Sequence, residues 1–521
     1  MNPLGRISAI VRADFFVRFR RVSTLVVFLL LSAFAYVWVP APATGRALMQ
    51  VNGQRAIYNS GAMGMATASL AMMFVGLFGY YVISNAIRRD ITSRCGFVVA
   101  STAMRSLEYL VGKFLGNLAF LVTFTAGFML SSMAMLLVRG EARLEPLVFV
   151  GQYLLLTPTA MVLVSAVAVF FESVPFLSGK LGDVAYFFVF ITCISLVVGN
   201  EVSRGRFPWA RAFDFTGFGF MIDQLQHALH TQSLSIGASP FDPNKPTITF
   251  PGLSMSRDWI LPRILSLLLP LTLLPFAALV FHRFDPVHVG RTSGQSRRKW
   301  LWRIQSLAKP LSRRAAELLM LPARGNSLGA AMWIDAVLTL TLSPLGFIAF
   351  IGISIASLIA PVPSVLPIAF AALAVIIAEV ATRDTRAGTS TSLYAMPRLR
   401  EQFAWWKFGS TCLLSFIFFA VPLLKLSAID DARLPSLVIG ILFMAAAATF
   451  LGVATANAKT FIVAFLSFWY LVVNDKGASP LLDFAGFYGT ATPRTVITYG
   501  VLAALCAIGA QVAHNARLAR S

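Results

Sequence analysis

The sequence has 521 residues, of which 57% are hydrophobic and 12% are charged, and its formal net charge is +21. Soluble globular proteins carry roughly 45–50% apolar and about 25% charged residues, so this composition excludes a soluble enzyme, a disordered chain and a coiled coil. Four cysteines in a chain of this length also exclude a disulfide-stabilised scaffold.

Apolar runs long enough to cross the ~30 Å hydrocarbon core recur along the chain, so we predict an all-α polytopic membrane protein with about twelve transmembrane helices. The predicted spans of the first half are 22–39, 62–86, 114–138, 147–171, 183–199 and 260–281. Those of the second half are 337–358, 364–381, 408–425, 436–455, 460–474 and 495–513.

Lysine and arginine segregate between the loops on the two sides of these spans. With the N-terminus inside, the inner segments hold 29 of the 43 basic residues. Cytoplasmic loops collect Lys and Arg, so we predict cytoplasmic termini, a bacterial inner membrane and no nucleic-acid partner. The run 22–39 also resembles a signal peptide ending at Ala41-Pro42-Ala43. We favour a retained helix, because the run is long enough to span a bilayer.

Two inner loops, 87–113 and 382–407, look like copies of one another. They share an Arg-Asp pair, a glycine and a lysine: Arg89, Asp90, Gly96 and Lys113 in the first, and Arg383, Asp384, Gly388 and Lys407 in the second. The Arg-Asp pairs and the lysines are separated by the same 294 positions, whereas the glycines are not. This predicts two parallel six-helix repeats, with halves at 1–285 and 331–521.

Each of these loops is longer than a tight helix connection requires, and each carries apolar side chains among basic ones. A docking helix and a solvated basic loop both fit this pattern. The segment 286–330 is predicted to be a basic cytoplasmic linker. Trp300 and Trp302 lie beside its basic residues, which fits either an amphipathic segment on the inner leaflet or a solvated linker.

The outer loops 200–258 and 475–494 are rich in aromatic residues, and a short helix is predicted at about 219–231. The aromatics fit either a cap over an exit or anchors at the membrane interface. His227 and His230 form an i, i+3 pair on that helix, but two histidines alone are a weak indication of a metal.

No nucleotide-binding loop and no zinc-protease motif occur in the sequence. Gly179-Lys180 lacks the upstream glycine of a phosphate-binding loop, and none of the five histidines begins an H-E-x-x-H run. We therefore predict no catalytic residue, no cofactor and no metal. Carboxylates and histidines at mid-depth, typical of ion-coupled transport, are nearly lacking in the predicted spans.

This layout resembles the ABC-2 type permease family, the membrane subunit of ATP-binding-cassette exporters. The resemblance rests on the basic segment Arg12 to Arg21, on the first loop with its Arg89-Asp90, Gly96 and Gly112-Lys113, and on the long outer segment between the fifth and sixth spans. In the family that loop contains the coupling helix, which docks on a separate ATPase. The resemblance therefore implies ATPase docking through the shared residues of both loops.

The same resemblance implies a fused two-half permease that works with two copies of a cytoplasmic ATP-binding subunit and in contact with membrane lipid. It implies export of a lipophilic or peptide-like substrate between the halves. It also places Asp14 and Asp335 on helices before the first and seventh spans. The main alternative is an ion-coupled secondary transporter with two six-helix halves. A membrane enzyme would use the candidates of the outer loop, which are Glu201, Asp214, Asp223, His227 and His230.

Overall fold

A computed structural model describes residues 2–20, 28, 33, 35–36, 38–175, 177–202, 207–229, 234–281, 284, 327–342, 344–429, 431–477 and 479–519. The chain is 76% helical and divides into two compact units, unit 1 at Met1–Ser293 and unit 2 at Gly294–Ser521. Most of the predicted span 22–39 and nearly all of the predicted linker 286–330 lie outside the described residues, as does His230.

Unit 1 begins with a 17-residue helix and continues through five long apolar stretches. Its α-helices are α1 Pro3–Phe19, α2 Ser60–Phe74, α3 Tyr80–Ile83, α4 Ala86–Thr92, α5 Cys95–Ala100, α6 Ser106–Arg139, α7 Pro146–Ser173, α8 Lys180–Val202, α9 Phe218–Leu229, α10 Arg257–Leu268 and α11 Leu273–Val280. A π turn at Val75–Gly79 joins α2 to α3, and a 3₁₀ turn at Leu269–Thr272 joins α10 to α11. The helix α9 matches the short helix predicted at about 219–231.

A small β-sheet, which the sequence analysis did not predict, lies where α2 begins. Its strands are β1 Arg46–Val51, β2 Gln54–Arg55 and β3 Leu234–Pro240, in the order β2-β1-β3 and antiparallel. Gln50 pairs with Arg55 in β2 and with Ser235 in β3. The long outer loop is therefore tied back to the segment before α2.

The regular secondary structure of unit 2 is entirely helical among its described residues. Its helices are α12 Leu328–Leu342, α13 Pro344–Ile359, α14 Val362–Ile377, α15 Arg383–Ala387, α16 Ser390–Tyr394, α17 Pro397–Phe418, α18 Ala420–Ala428, α19 Leu434–Thr455, α20 Ala458–Asp475 and α21 Pro493–Leu518. The long helix α19 packs along α21 and α17. Phe484, on the loop before α21, lies among the rings of Phe370, Phe468 and Tyr499.

Eight helices among the described residues are long and apolar enough to cross a membrane, and nine if α17 and α18, bent by 59°, form one span. The prediction of an all-α polytopic protein is confirmed at this level, but twelve spans are not. The predicted span 337–358 is divided between α12 and α13, and the predicted span 364–381 is the 16-residue α14. In each unit we call the end of the helices with the 87–113 or 382–407 segment the inner end.

Candidate functional site

At the inner end of unit 1, four charged side chains from three helices form a buried ion cluster. We call Asp14, Arg89, Asp90 and Lys113 the unit 1 cluster. Asp14 Oδ1 accepts from Arg89 Nη2 at 2.7 Å and from Lys113 Nζ at 2.9 Å. The same lysine lies 2.7 Å from Asp90 Oδ2. One carboxylate of α1 therefore joins α4 to α6.

Local sequence explains how α1 reaches this position. Asn2 caps the helix by accepting from the backbone N–H of Gly5 at 2.8 Å, and Pro3 occupies its first turn. Gly112 and Gly116 of α6 have no side chain, so α1 can approach closely: a Cβ at Gly112 would lie 3.0 Å from Ile10. Asp14 is thereby brought against α6.

Neighbouring polar groups complete the unit 1 cluster. Tyr109 donates its hydroxyl to Asp90 Oδ2 at 2.7 Å, and Arg18 donates to the amide oxygen of Asn117 at 2.7 Å. Arg18 Nη2 also lies 3.5 Å from Asp14 Oδ2. The Lys113 side chain is only 3% exposed, so its ammonium group requires Asp14 and Asp90 as counter-ions. An unpaired buried ion costs several kcal/mol.

Unit 2 contains the same arrangement, which we call the unit 2 cluster: Asp335, Arg383, Asp384 and Lys407. Asp335 accepts from Arg383 Nη1 at 2.9 Å and from Lys407 Nζ at 3.0 Å, and that lysine lies 2.6 Å from Asp384 Oδ2. Thr339 lies one turn after Asp335, as Arg18 lies one turn after Asp14, and it accepts from Arg383 Nη2 at 2.6 Å. The three ion pairs of the unit 1 cluster therefore recur in unit 2, whereas the surrounding polar groups differ.

The structure thus brings together six of the eight residues that the sequence singled out. It leaves the two glycines apart from the clusters. Gly96 is buried in α5 beneath the ring of Phe284, whereas Gly388 ends α15 at φ +72°, a left-handed conformation, with open space around it. The glycines therefore have different structural roles. Sequence analysis placed Asp14 and Asp335 near their spans but did not predict that each is the hub of its cluster, the carboxylate that pairs with both the arginine and the lysine.

Lys113 and Lys407 are too deeply buried to contact a docked partner directly. Lys113 and Lys407 are 3% and 1% exposed, so neither side chain is at a surface where a partner could touch it. The exposed apolar side chains of the first inner segment include Phe97 and Val98 of α5, at 38% and 67%, and Leu107 of α6, at 44%. On the second segment Met396 is 56% exposed.

A second pair of matching features lies at the outer ends. The sequences Asp214-Phe215-Thr216-Gly217-Phe218 and Asp483-Phe484-Ala485-Gly486-Phe487 form the same turn, which we call the outer turn of each unit. Gly217 and Gly486 have φ +72° and +71°, and each donates its N–H to the carbonyl of the turn's aspartate. Both aspartates are buried. A self-comparison of the sequence at an offset of 269 positions reveals this motif.

The acidic residues of the first outer loop are engaged in structural contacts. Arg211 bridges Glu201 and Asp223 at 2.9 Å each. Asp223 also accepts from Trp259 Nε1 at 2.8 Å. Burial raises the pKa of Asp214, whose carboxylate accepts from the N–H of Phe220 at 2.8 Å. Within the described residues, no group of three His, Cys, Asp or Glu side chains could hold a metal ion.

No family model matches the chain, and no curated protein and no solved structure matches it either.

Proposed function

We propose that this chain is the permease subunit of an ATP-binding-cassette transporter of the ABC-2 type, with both membrane halves in one polypeptide. It would move a lipophilic or peptide-like substrate outward across the bacterial inner membrane, with two copies of a cytoplasmic ATPase supplying the energy. The observation that carries this proposal is the pair of matching ion clusters, each attached to a short helical segment at an inner end.

In our proposal the cluster residues position each inner segment, and other residues of the segment contact the ATPase. Arg89 and Asp90 belong to α4, which directly precedes α5. Their contacts with Asp14 and Lys113 hold α4, and with it the start of the inner segment, against α1 and α6. Glu172 adds to this by accepting from the N–H groups of Ala86 and Ile87 at 3.1 and 2.7 Å. In our proposal these are positioning residues, and a force applied to α5 passes through them into α1 and α6.

The contact with an ATPase would then be made by the exposed side chains of α5. Phe97 and Val98 lie next to Arg94 and within reach of the exposed chain that follows at Ser101 to Ala103. Exposed apolar groups surrounded by polar ones are typical of a protein interaction surface. In unit 2 the exposed apolar residues of the inner segment include Met396 and Trp405, so the two segments present different surfaces.

Affinity purification of the tagged chain from its own host in mild detergent tests the proposal. We expect a soluble ATPase to co-purify in stoichiometric amount, and we expect Phe97→Asp with Val98→Asp to abolish this while the chain stays folded. Leu481→Asp is the matched control, because Leu481 is likewise an exposed apolar residue, at 51%, but belongs to the outer loop of unit 2. Its ATPase partner should remain bound.

Other outcomes would contradict the proposal. If no ATPase accompanies the folded chain, the ion-coupled secondary transporter becomes the better explanation. If an ATPase is bound equally by the double variant and by the wild type, docking does not use α5. Arg89→Glu should also lower ATPase binding, because it breaks the ion pair with Asp14 that positions α4 and α5, and Arg89→Lys should restore part of the binding because it keeps the charge.

A further inference from the structure

The last helix is built differently in the two units. In unit 1 it consists of α10, the 3₁₀ turn Leu269–Thr272 and α11. In unit 2 the corresponding α21 runs for 26 residues without interruption. A stretch of 3₁₀ helix in the middle of a long helix frequently marks a hinge, since its hydrogen bonds have poorer geometry.

Two prolines account for the interruption in unit 1. Pro270 and Pro275 have no N–H to donate, so the carbonyls of Ser266 and Leu271 lack the usual partner four residues later. The hydroxyl of Thr272 satisfies a further carbonyl, that of Leu269, at 2.6 Å. The described part of α21 contains proline only at its first residue, Pro493, where the N–H would be unpaired in any case.

The two parts of the unit 1 helix are attached to different places. The outer part, α10, donates from Arg263 Nη1 to the carbonyl of Asp214 in the outer turn at 3.0 Å. After α11, Phe281 stacks on Tyr109 with ring centroids 5.6 Å apart, and the ring of Phe284 covers Gly96. Because Tyr109 donates to Asp90, α11 is joined to the unit 1 cluster and to α5.

Unit 2 has comparable attachments at both ends of an unbroken helix. Near the start of α21, Thr495 donates to the carbonyl of Pro480 at 2.9 Å, and the Tyr499 ring lies 5.8 Å from the Phe484 ring of the outer turn. Near its end, His514 stacks on Phe403 at 5.1 Å. Phe403 precedes Lys407 by one turn, as Tyr109 precedes Lys113.

We propose that Leu269–Thr272 is a hinge, which lets α11 move with the inner segment of unit 1 while α10 stays with the outer turn. In unit 2 the inner segment and the outer turn are joined by a rigid helix and move together. The consequence for transport, which rests on the proposed function, is that the two halves respond unequally to the same push. The last helix of unit 2 therefore transmits the movement to its outer turn, whereas the last helix of unit 1 does not.

Spin-label distances in the full-length chain in lipid nanodiscs test this hinge. After the four native cysteines are replaced by serine, one label pair goes to Ile264 and Leu279, which flank the hinge, and a matched pair goes to Ile497 and Val512 in α21. All four side chains are exposed, and both pairs are fifteen residues apart, which corresponds to about 22 Å in a straight helix.

We expect the distance distribution of the unit 1 pair to be roughly twofold broader than that of the unit 2 pair, because prolines weaken the ladder only there. Pro270→Leu should narrow it towards the unit 2 width, since Pro275 remains, and Pro270→Ala provides a second variant if leucine impairs folding. Equal widths in the two wild-type helices, or no narrowing in either folded variant, would overturn the hinge. The measurement needs no ATPase, so its outcome is independent of whether a partner is found.

Discussion

Asp14 and Asp335 each share one carboxylate group between an arginine and a lysine that are distant in sequence. The arrangement satisfies a lysine ammonium that is almost completely removed from water, in unit 1 and again in unit 2. Removing the aspartate leaves cations without their counter-ion, which is more costly than losing an exposed pair. The two hubs nevertheless differ, because Arg18 adds a third cation near Asp14.

We expect Asp14→Asn to destabilise the protein by on the order of 3 kcal/mol, and Asp335→Asn to destabilise it by less. The first substitution leaves three cations facing one carboxylate, and the second leaves two. The measurement is the midpoint of unfolding in mixed micelles. Asp431→Asn is the control, because the ion pair of Asp431 with Arg433 is long, at 4.0 Å, and partly exposed, and asparagine can still accept from the backbone N–H of Arg433. A cost for Asp14→Asn as small as that of the control would contradict the role of the hub.

The outer pair of Arg55 and Glu141 predicts a dependence on pH. Two hydrogen bonds from Arg55, at 2.6 and 2.7 Å, lower the pKa of Glu141 below its ordinary value. This pair therefore contributes stability above the unfolded-state pKa of about 4.3, and the contribution is lost as the pH falls through the folded-state pKa. Glu141→Gln should lose less stability between neutral and acidic pH than the wild type. Identical pH profiles of the unfolding midpoint would refute this.

At the scale of the elements, the two glycines of the inner segments lead to opposite predictions. Gly388 has a left-handed backbone in open space, so Asn should be tolerated there better than Ala, which costs about 1 kcal/mol. At Gly96 a Cβ would lie 2.5 Å from the Phe284 ring, so the larger Asn should be worse than Ala. The unfolding midpoints of the four variants provide the test. The same order at both positions would show that the environments are not as described.

The elements also show what hydrophobic patterning can and cannot predict. The spans at 114–138, 147–171, 436–455 and 495–513 were predicted because each is an unbroken apolar run, and each is one long helix. The interruption at Leu269–Thr272 was not predicted, since the run there remains apolar and only the prolines weaken it. The strands β1 and β3 were missed because they pair across some 190 residues, a contact that no local pattern encodes.

The clusters were predictable only in part. The 294-position offset identified Arg89, Asp90 and Lys113 with their counterparts because three charges recur at fixed spacing. Asp14 and Asp335 are separated by 321 positions, so the hubs do not share that offset, and only the packing of α1 against α6 and of α12 against α17 reveals their role. The burial of the lysines was likewise invisible, since the sequence pattern is equally typical of an exposed basic loop.

For the whole molecule, the predicted orientation can be tested with a single native residue. Cys95 is exposed at the start of α5, and the other three cysteines are only partly accessible within helices. A membrane-impermeant maleimide should label Cys95 in inverted vesicles and not in intact cells. Leu481→Cys, in the outer loop of unit 2, should show the reverse in a Cys95→Ser background. Labelling of Cys95 from outside would place the inner ends on the opposite side of the membrane.

The three-stranded sheet has a consequence for biogenesis. Strand β1 is synthesised before α2, whereas β3 follows α8, so the pairing of Arg46 with Pro240 must wait until the intervening spans have been inserted and both strands have crossed to the same side. Closing such a long loop is entropically costly and slow. Protease resistance of the sheet should therefore appear late during synthesis. Its appearance would show that the spans between β1 and β3 have been inserted into the membrane.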